Sequence, residues 1–561
     1  MTKRIAISVF IFFLFLSCSN LWAEPDSSAA TVLSKEEVRK EYVITQLKSI
    51  FSDKKALQKS GLAASTKPTR EVTLLLREAA INFDSYDAET QQYLSTFLMR
   101  PDESTNNWPW DGEPDFYLDS PVPFEPDAGT YPAISGKFVF WYVTNDTTVD
   151  DGVDHSATLS FVQSMAAAFE TVYSTTHTTM GYPAPPDDSA ISPNGGDSRM
   201  DIYVMDCGHY SVYGYTGSEG SGSSKTSFMV MDNDFLEFVT PSQTAEESMQ
   251  VTAAHEYHHA VQFGINSGAD AWIMEATATW MEDQIYDSID DNLQYLNDGA
   301  NSFFKNPDLS LDLSQDPFWY GKWIWLEYME TKWDQAAIKN IWLDYLINSN
   351  SGVNAVSKVL LDKSSDLKNA FTEFATWNYV QSTLDGLTLY GDASAYDPVY
   401  IANAASSVGF NLDYTSASSD TFTQQNFTIN HLAAKYFKLT PGASISSEQS
   451  DTLTVYVNGT DNRRIDVVPV VKSTGGAYSA VTLSLDASNY GKIEITGFNR
   501  SDISEIVLVL VNYSPDEDSS VIAISGGIGS DGADNTISIE PVSPPATTGS
   551  GGGGCFIQSI E

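Results

Sequence analysis

Cysteine is nearly missing from this chain of 561 residues, which carries only Cys18, Cys207 and Cys555. Cys207 and Cys555 stand too far apart, in surroundings too different, to form a disulfide framework, so stability has to come from buried cores. Basic residues are scarce as well. Against 74 Asp and Glu there are 30 Lys and Arg, a net charge of -44. Such a surface repels phosphate backbones and anionic lipid within a Debye length, which excludes nucleic acid as a partner and keeps the chain soluble outside a cell. Long apolar runs are also lacking. The stretch from Ile5 to Leu16 is too short to span a bilayer. It follows Met1-Thr2-Lys3-Arg4 and precedes Leu21-Trp22-Ala23, the layout of a secretory signal peptide over residues 1–23, so export to the outside or the cell surface is expected, without a membrane span. Cys18, after Phe15-Leu16-Ser17, only loosely resembles a lipoprotein cleavage box.

Histidine is rare too, yet three of the seven fall within His255-Glu256-Tyr257-His258-His259. On a helix, positions i and i+4 share a face with Cβ atoms roughly 5–6 Å apart, so His255 and His259 can each offer a ring nitrogen to one zinc ion at about 2.0–2.1 Å. Glu256 leans toward the same cleft, placed to act as general base on a water whose pKa the ion lowers to around 7. Accident would produce this pattern in on the order of one in a few hundred chains of this length and composition. The flanks agree with a helix. Thr240-Pro241-Ser242-Gln243-Thr244-Ala245-Glu246-Glu247 is rich in helix-start residues, Met249, Val251, Ala254, Val261 and Phe263 form an apolar stripe, and Gly264 with Asn266-Ser267-Gly268 supplies a stop.

A catalytic zinc site needs a third protein ligand. A further His six residues after His259 would complete a metzincin pattern, but Gln262 and Ile265 occupy the positions that pattern requires as Gly and His. A second helix starting near Asp270 puts Glu275, Thr279 and Glu282 on one face, so Glu275 is the expected third ligand and Glu282 the alternative. His258 is the i+3 alternative to His259, or a polar residue on the helix flank.

These residues resemble the gluzincin clan of metallopeptidases, thermolysin-like in site layout. More closely, the chain is similar to a family of secreted bacterial metallopeptidases with a His-Glu-Tyr-x-His-Ala-x-Gln-Phe helix followed by Trp-x-x-Glu-Ala-x-Ala-x-Trp-x-Glu-Asp. Those stretches stand here as His255 to Phe263 and Trp272 to Asp283, and the similarity runs from Gly136 through Gly181-Tyr182 and Arg199 to Val204 as far as residue 385. The interval from His259 to Glu275 is slightly shorter than in thermolysin-like enzymes. The resemblance implies His255, His259 and Glu275 as zinc ligands, Glu256 as general base and protein or peptide substrates. A gluzincin also needs a group to steady the developing oxyanion, for which Tyr320, His209 and Tyr210 are the candidates. The N-terminal segment carries no cysteine, so any latency of such a site has to be steric rather than thiolate-based.

The expected architecture is an α+β zincin-like metallopeptidase domain with a helical N-terminal segment and a C-terminal all-β sandwich. Residues 24–132 open with helical patterns (Ser34 to Phe51, Thr69 to Met99) and end in a Pro-rich acidic stretch with Trp108-Pro109-Trp110, which suits either a removable propeptide or a permanent cap. Residues 133–385 would form the metallopeptidase domain, with strands at Lys137 to Val143 and Asp201 to Met205 and a helix at Ser156 to Tyr173. Thr226 to Met231 reads as the strand before the metal helix, either an ordinary sheet strand or an edge that pairs with extended substrate. Asp232-Asn233-Asp234 offers calcium ligands or a solvated turn. The aromatic series from Trp319 to Tyr345 reads as core packing. Residues 386–540 alternate apolar and polar in short runs, among them Thr452 to Val457, Val481 to Leu485 and Glu505 to Val511, as an accessory sandwich does. Residues 541–561 form a Gly-rich tail whose Gly551 to Gly554 run before Cys555-Phe556-Ile557 resembles a sorting signal of exported bacterial proteins, or is a plain linker. The competing reading of the whole is a non-catalytic surface or adhesion protein with a structural or vestigial zinc site, and a third is a zinc hydrolase of a non-peptide amide.

Overall fold

The structure, a computed structural model, describes residues 35–51, 72–103, 115–146, 153–297, 302–315, 317–348, 351–401, 410–412, 420–441, 452–516 and 518–529. The expected signal peptide, Trp108 to Trp110 and the Gly-rich tail with Cys555 lie outside these residues. The fold is mixed α/β, with helices in the middle of the chain and β-sheets at its C-terminal end.

A five-stranded sheet runs in the order β1 (Val122–Phe124), β2 (Phe138–Tyr142), β3 (Met200–Val204), β5 (Thr226–Met231), β4 (Gly214–Glu219). The middle three strands are parallel, and the two outer ones run antiparallel to their neighbours. All six residues of β5 are buried. Side chains alternate between faces along a strand, so both faces of this sheet must be covered. Ile202, Val204, Met229 and Met231 face helices α4 (Leu159–Tyr173) and α5 (Ala245–Asn266). Tyr203, Tyr215, Phe228 and Val230 share a core with the N-terminal helices α1 (Lys35–Phe51), α2 (Val72–Ile81) and α3 (Ala88–Leu98) through Leu47, Phe51, Leu75, Leu94 and Phe97. The single helical pattern expected from Thr69 to Met99 is in fact two helices, broken by a turn at Phe83–Ser85 where Asp87 caps the second. Strand β1, late in the N-terminal segment, is part of the sheet.

Arg100 ties that segment down. Its guanidinium is fully buried and bonds Asp188 at 2.8 Å, Glu219 at 2.6 Å and Asp201.

Helix α5 begins at Thr244, whose hydroxyl accepts from the Glu247 amide while the Glu247 carboxylate accepts from the Thr244 amide. Seventeen of its 22 residues are buried, so it is a central helix rather than the one-sided amphipathic helix that the stripe suggested. Gly264 is required by packing, because a Cβ there would sit 2.7 Å from Pro186. Helix α6 (Ala271–Tyr286) follows after a short turn. Helices α7 (Trp323–Lys332), α8 (Ala336–Asn348), α9 (Gly352–Asp362) and α10 (Leu367–Val380) then build the aromatic core, with Trp319, Tyr320, Trp323, Trp325, Tyr328, Trp342 and Tyr345 buried.

At the C-terminal end a seven-stranded and a four-stranded sheet pack face to face. In an interior strand of the larger one, Ile503–Asn512, Ile506, Leu508 and Leu510 point toward the smaller sheet, and Val507, Val509 and Val511 toward the helices. The smaller sheet includes β11 (Thr452–Gly459), which alternates strictly between buried and half-buried, as one dry face requires. The strand expected at Val481 to Leu485 is not formed; the paired residues there are Tyr478–Ala480. Tyr436 donates to the Ala375 carbonyl at 2.9 Å and Tyr379 to Glu505 at 3.1 Å, joining sheet to helices. Among the described residues no helix is long and apolar enough to cross a membrane.

Removing the Arg100 charge leaves three carboxylates with no cationic partner in a buried site. Arg100→Met is expected to lower stability by about 3–5 kcal/mol, read as a shift of the urea unfolding midpoint. An unchanged midpoint would show that the N-terminal segment contributes little through this contact.

Candidate metal centre

The two long buried helices α5 and α6 bring together the residues expected at the site. His255, His259 and Glu275 each offer an atom within 4.8 Å of the others, and all three, together with Glu256, have no exposed surface. The two Nε2 atoms face each other at 3.1 Å. A Glu275 carboxylate oxygen lies 3.1 Å from His255 Nε2 and 3.6 Å from His259 Nε2.

The far side of each ring fixes which nitrogen carries hydrogen. His255 Nδ1 donates to Glu282 Oε1 at 2.7 Å. His259 Nδ1 meets Gln262 Oε1 at 2.8 Å. Gln262 is oriented unambiguously, since its amide nitrogen donates to the Met274 carbonyl at 2.9 Å and to Thr277 Oγ1 at 2.8 Å, which leaves the oxygen to accept. In the neutral rings both Nε2 atoms are therefore lone pairs, and with the Glu275 oxygen three acceptors converge on one point. Three acceptors with no donor between them repel one another in a dry interior, and a divalent cation at that point satisfies all three. Without an ion, burial works against the His255 imidazolium, but Glu275 and Glu282 outweigh it and raise its pKa to about 9. Burial likewise opposes the Glu275 carboxylate, yet the histidines, His259 foremost, draw its pKa down to about 2. Both shifts show how strongly this point attracts positive charge.

Glu282, the alternative ligand, is therefore an orienting partner of His255. His258, the alternative to His259, points the other way, edge-on to Tyr182 at 5.3 Å and to Trp342 at 6.2 Å. Burial, then the neighbouring His259, lowers its pKa well below the usual value, so it stays neutral. Of the oxyanion candidates, Tyr320 lies at the site, its ring 6.1 Å from that of His255 and stacked on Tyr295 at 4.8 Å. His209 and Tyr210 do not. Tyr210 packs with Phe51 in the core on the opposite face of the sheet, with His209 against it.

Glu256 is held asymmetrically. Its Oε2 accepts from Thr216 Oγ1 at 2.9 Å and from Thr73 Oγ1 at 2.7 Å, while Oε1 has no hydrogen-bond partner. Thr216 lies on β4, which is the edge of the sheet beside Glu256. The edge expectation attached to Thr226 to Met231 is thus corrected: β5 is interior, paired on one side with β3 and on the other with β4. Gln262 was missed as an orienting residue, although its i+3 spacing from His259 is a usable signal. Thr216 and Thr73 have no such signal, being 40 and 183 residues from Glu256.

A second group, Asp232, Asp234 and Glu237, also gathers carboxylates within 4.8 Å. Asp232 is occupied in closing a turn, accepting from the amides of Cys207 at 2.9 Å and Phe235 at 2.6 Å. Cys207 itself is buried and unpaired in any disulfide.

Compared with models of known families and with curated proteins, the chain gives no match.

Titration of the purified chain with zinc checks the ligand set. His255→Ala and Glu275→Ala are expected to lose stoichiometric binding, while Glu282→Ala and Gln262→Ala weaken it by about 10–100-fold. Full affinity in Glu275→Ala would remove the carboxylate from the site.

Proposed function

We propose that this chain is a secreted zinc endopeptidase of gluzincin type, with a zincin-like catalytic domain. The observations that carry the reading are the three convergent acceptor atoms and the unpartnered Oε1 of buried Glu256, the residue next to His255 in the chain. His255, His259 and Glu275 would hold a zinc ion, which when bound would supply the Lewis acidity that activates water at neutral pH. Glu256 takes the water proton on Oε1 while the Thr216 hydroxyl holds Oε2, and then delivers that proton to the leaving amine. Glu282 and Gln262 keep both imidazoles in the tautomer that presents Nε2. Tyr320 is the group near enough to steady charge developing on the carbonyl oxygen. Once uncovered, the edge of β4 would offer its outward amides to an extended polypeptide, which favours peptide substrates over small amides. Export through residues 1–23 belongs to the same proposal.

Complete burial of the ligands would also suit a structural ion. Structural zinc sites, however, are almost always closed by four protein ligands. The other candidate acid ligand, Glu282, accepts from His255 Nδ1. Three ligands and a base favour the catalytic reading.

Glu256→Gln is expected to bind zinc as the parent does and to cut an unfolded polypeptide about 10²–10⁴-fold more slowly, with the parent's cleavage lost on adding a chelator. Equal cleavage by the two proteins would overturn the mechanism.

A further inference from the structure

We infer that helix α2 is a built-in inhibitor of the metal centre, occupying the substrate edge of β4 and the base Glu256 until it is displaced. This inference rests on the peptidase reading and concerns how that site is regulated.

Thr73 makes the central contact. Its single hydroxyl donates to Glu256 Oε2 at 2.7 Å and accepts from the Thr216 amide at 2.9 Å. The β4–β5 pairing puts Thr216 opposite Met229 on the inner side, so the Thr216 amide bonded to Thr73 points outward from the sheet edge. An extended peptide laid along β4 would need that amide as a rung of its ladder. Thr73, fully buried, fills the place and touches the base with the same oxygen.

Arg77, one turn further along α2, donates from Nη2 to the Ala269 carbonyl at 2.6 Å and from Nε to the Ser267 carbonyl. Those carbonyls belong to the turn joining the two metal-bearing helices. Burial lowers the pKa of its guanidinium, and the carboxylates of Glu78, Asp270 and Glu275 act against that shift. Helix α2 thus spans the site from the base to the turn between the ligand helices. Leu74 on the same helix enters the core that surrounds the ligands.

With His255, Glu256, His259 and Glu275 all without exposed surface, a polypeptide reaches the centre only when this packing opens. The C-terminal end of α2, at Ala80 and Ile81, meets its neighbours loosely. A cleft of about 430 Å³ runs between Ala80, Ile81 and Met99 on the N-terminal side and Ser218, Gly220 and Lys225 on the other. A second, of about 330 Å³, separates Ala80 and Ile81 from Ser223 and Ser267. The rest of the N-terminal segment is held by Arg100 and by the apolar face of the sheet. Displacement of α2 would uncover the edge of β4 and the base while withdrawing Leu75 and Leu76 from the core they share with Tyr215 and Phe228, and the contacts of Arg100 would keep the rest of the segment attached.

The test uses the full-length chain loaded with zinc and two readouts: the rate at which a chelating dye extracts the ion, and cleavage of an unfolded polypeptide. Thr73→Val keeps the shape of the side chain and deletes both hydrogen bonds; Thr73→Ser keeps the hydroxyl. Arg77→Ala is added to Thr73→Val as a stronger variant, and thermal unfolding checks that each is folded. Thr73→Val is expected to release zinc and cut polypeptide about tenfold faster or more, with Thr73→Ser close to the parent. Unchanged extraction in folded Thr73→Val and in the double variant overturns the inhibitor role. Faster extraction with no cleavage by any variant keeps α2 as a plug and overturns the peptidase reading instead. A parent that already cuts as fast as Thr73→Val overturns the inhibition and leaves the peptidase reading standing.

Discussion

Two imidazole lone pairs and a carboxylate oxygen aimed at one dry point are unfavourable unless a positive charge sits among them. Much of the middle of the chain serves to hold them there. Helix α5 is buried on all sides, so its histidines cannot turn toward solvent, and α6 is packed against it so that Glu275 has no alternative direction. Glu282 and Gln262 then spend the outer ring nitrogens, which converts a general affinity for protons into one for a cation. The capping box at Thr244 fixes where α5 begins and hence which residues reach the centre.

The five-stranded sheet explains why residues before 132 cannot be treated as an independent appendage. Its strands alternate apolar side chains to both faces, and among the described residues the N-terminal helices are the helices that cover the face bearing Tyr203, Tyr215 and Phe228. The same requirement that fills this face brings α2 to the edge of β4, within reach of Glu256. Structural covering and control of the site are thereby two consequences of one packing arrangement. The C-terminal sheets are likewise continuous with the helical core through Val507, Val509 and Tyr436, so they brace the helices behind the centre as well as forming a core of their own.

Local patterns were readable wherever one rule dominates. The i, i+4 histidines, the start of α5, the strand at Thr226 to Met231 and the alternation of β11 follow from periodicity and capping. The break between α2 and α3 and the pairing of Tyr478–Ala480 in place of Val481 to Leu485 were not readable, since turn chemistry and tertiary register outweigh propensity there. The inward apolar stripe on α5 was visible, but its burial on every side was not, because small residues such as Ala253 and Ala260 leave no signal until neighbours close over them.

By itself the sequence determined that His255 and His259 share a face and that a carboxylate from the next helix could join them, because helical spacing is a property of the local chain. It left Glu275 and Glu282 as rivals, and the strand Thr226 to Met231 as an edge or an interior element. Only the tertiary structure decided these, and it alone brought Thr73 and Thr216 to Glu256. Contacts across 183 and 40 residues depend on how sheet order and helix packing close in space, and no local rule carries that information.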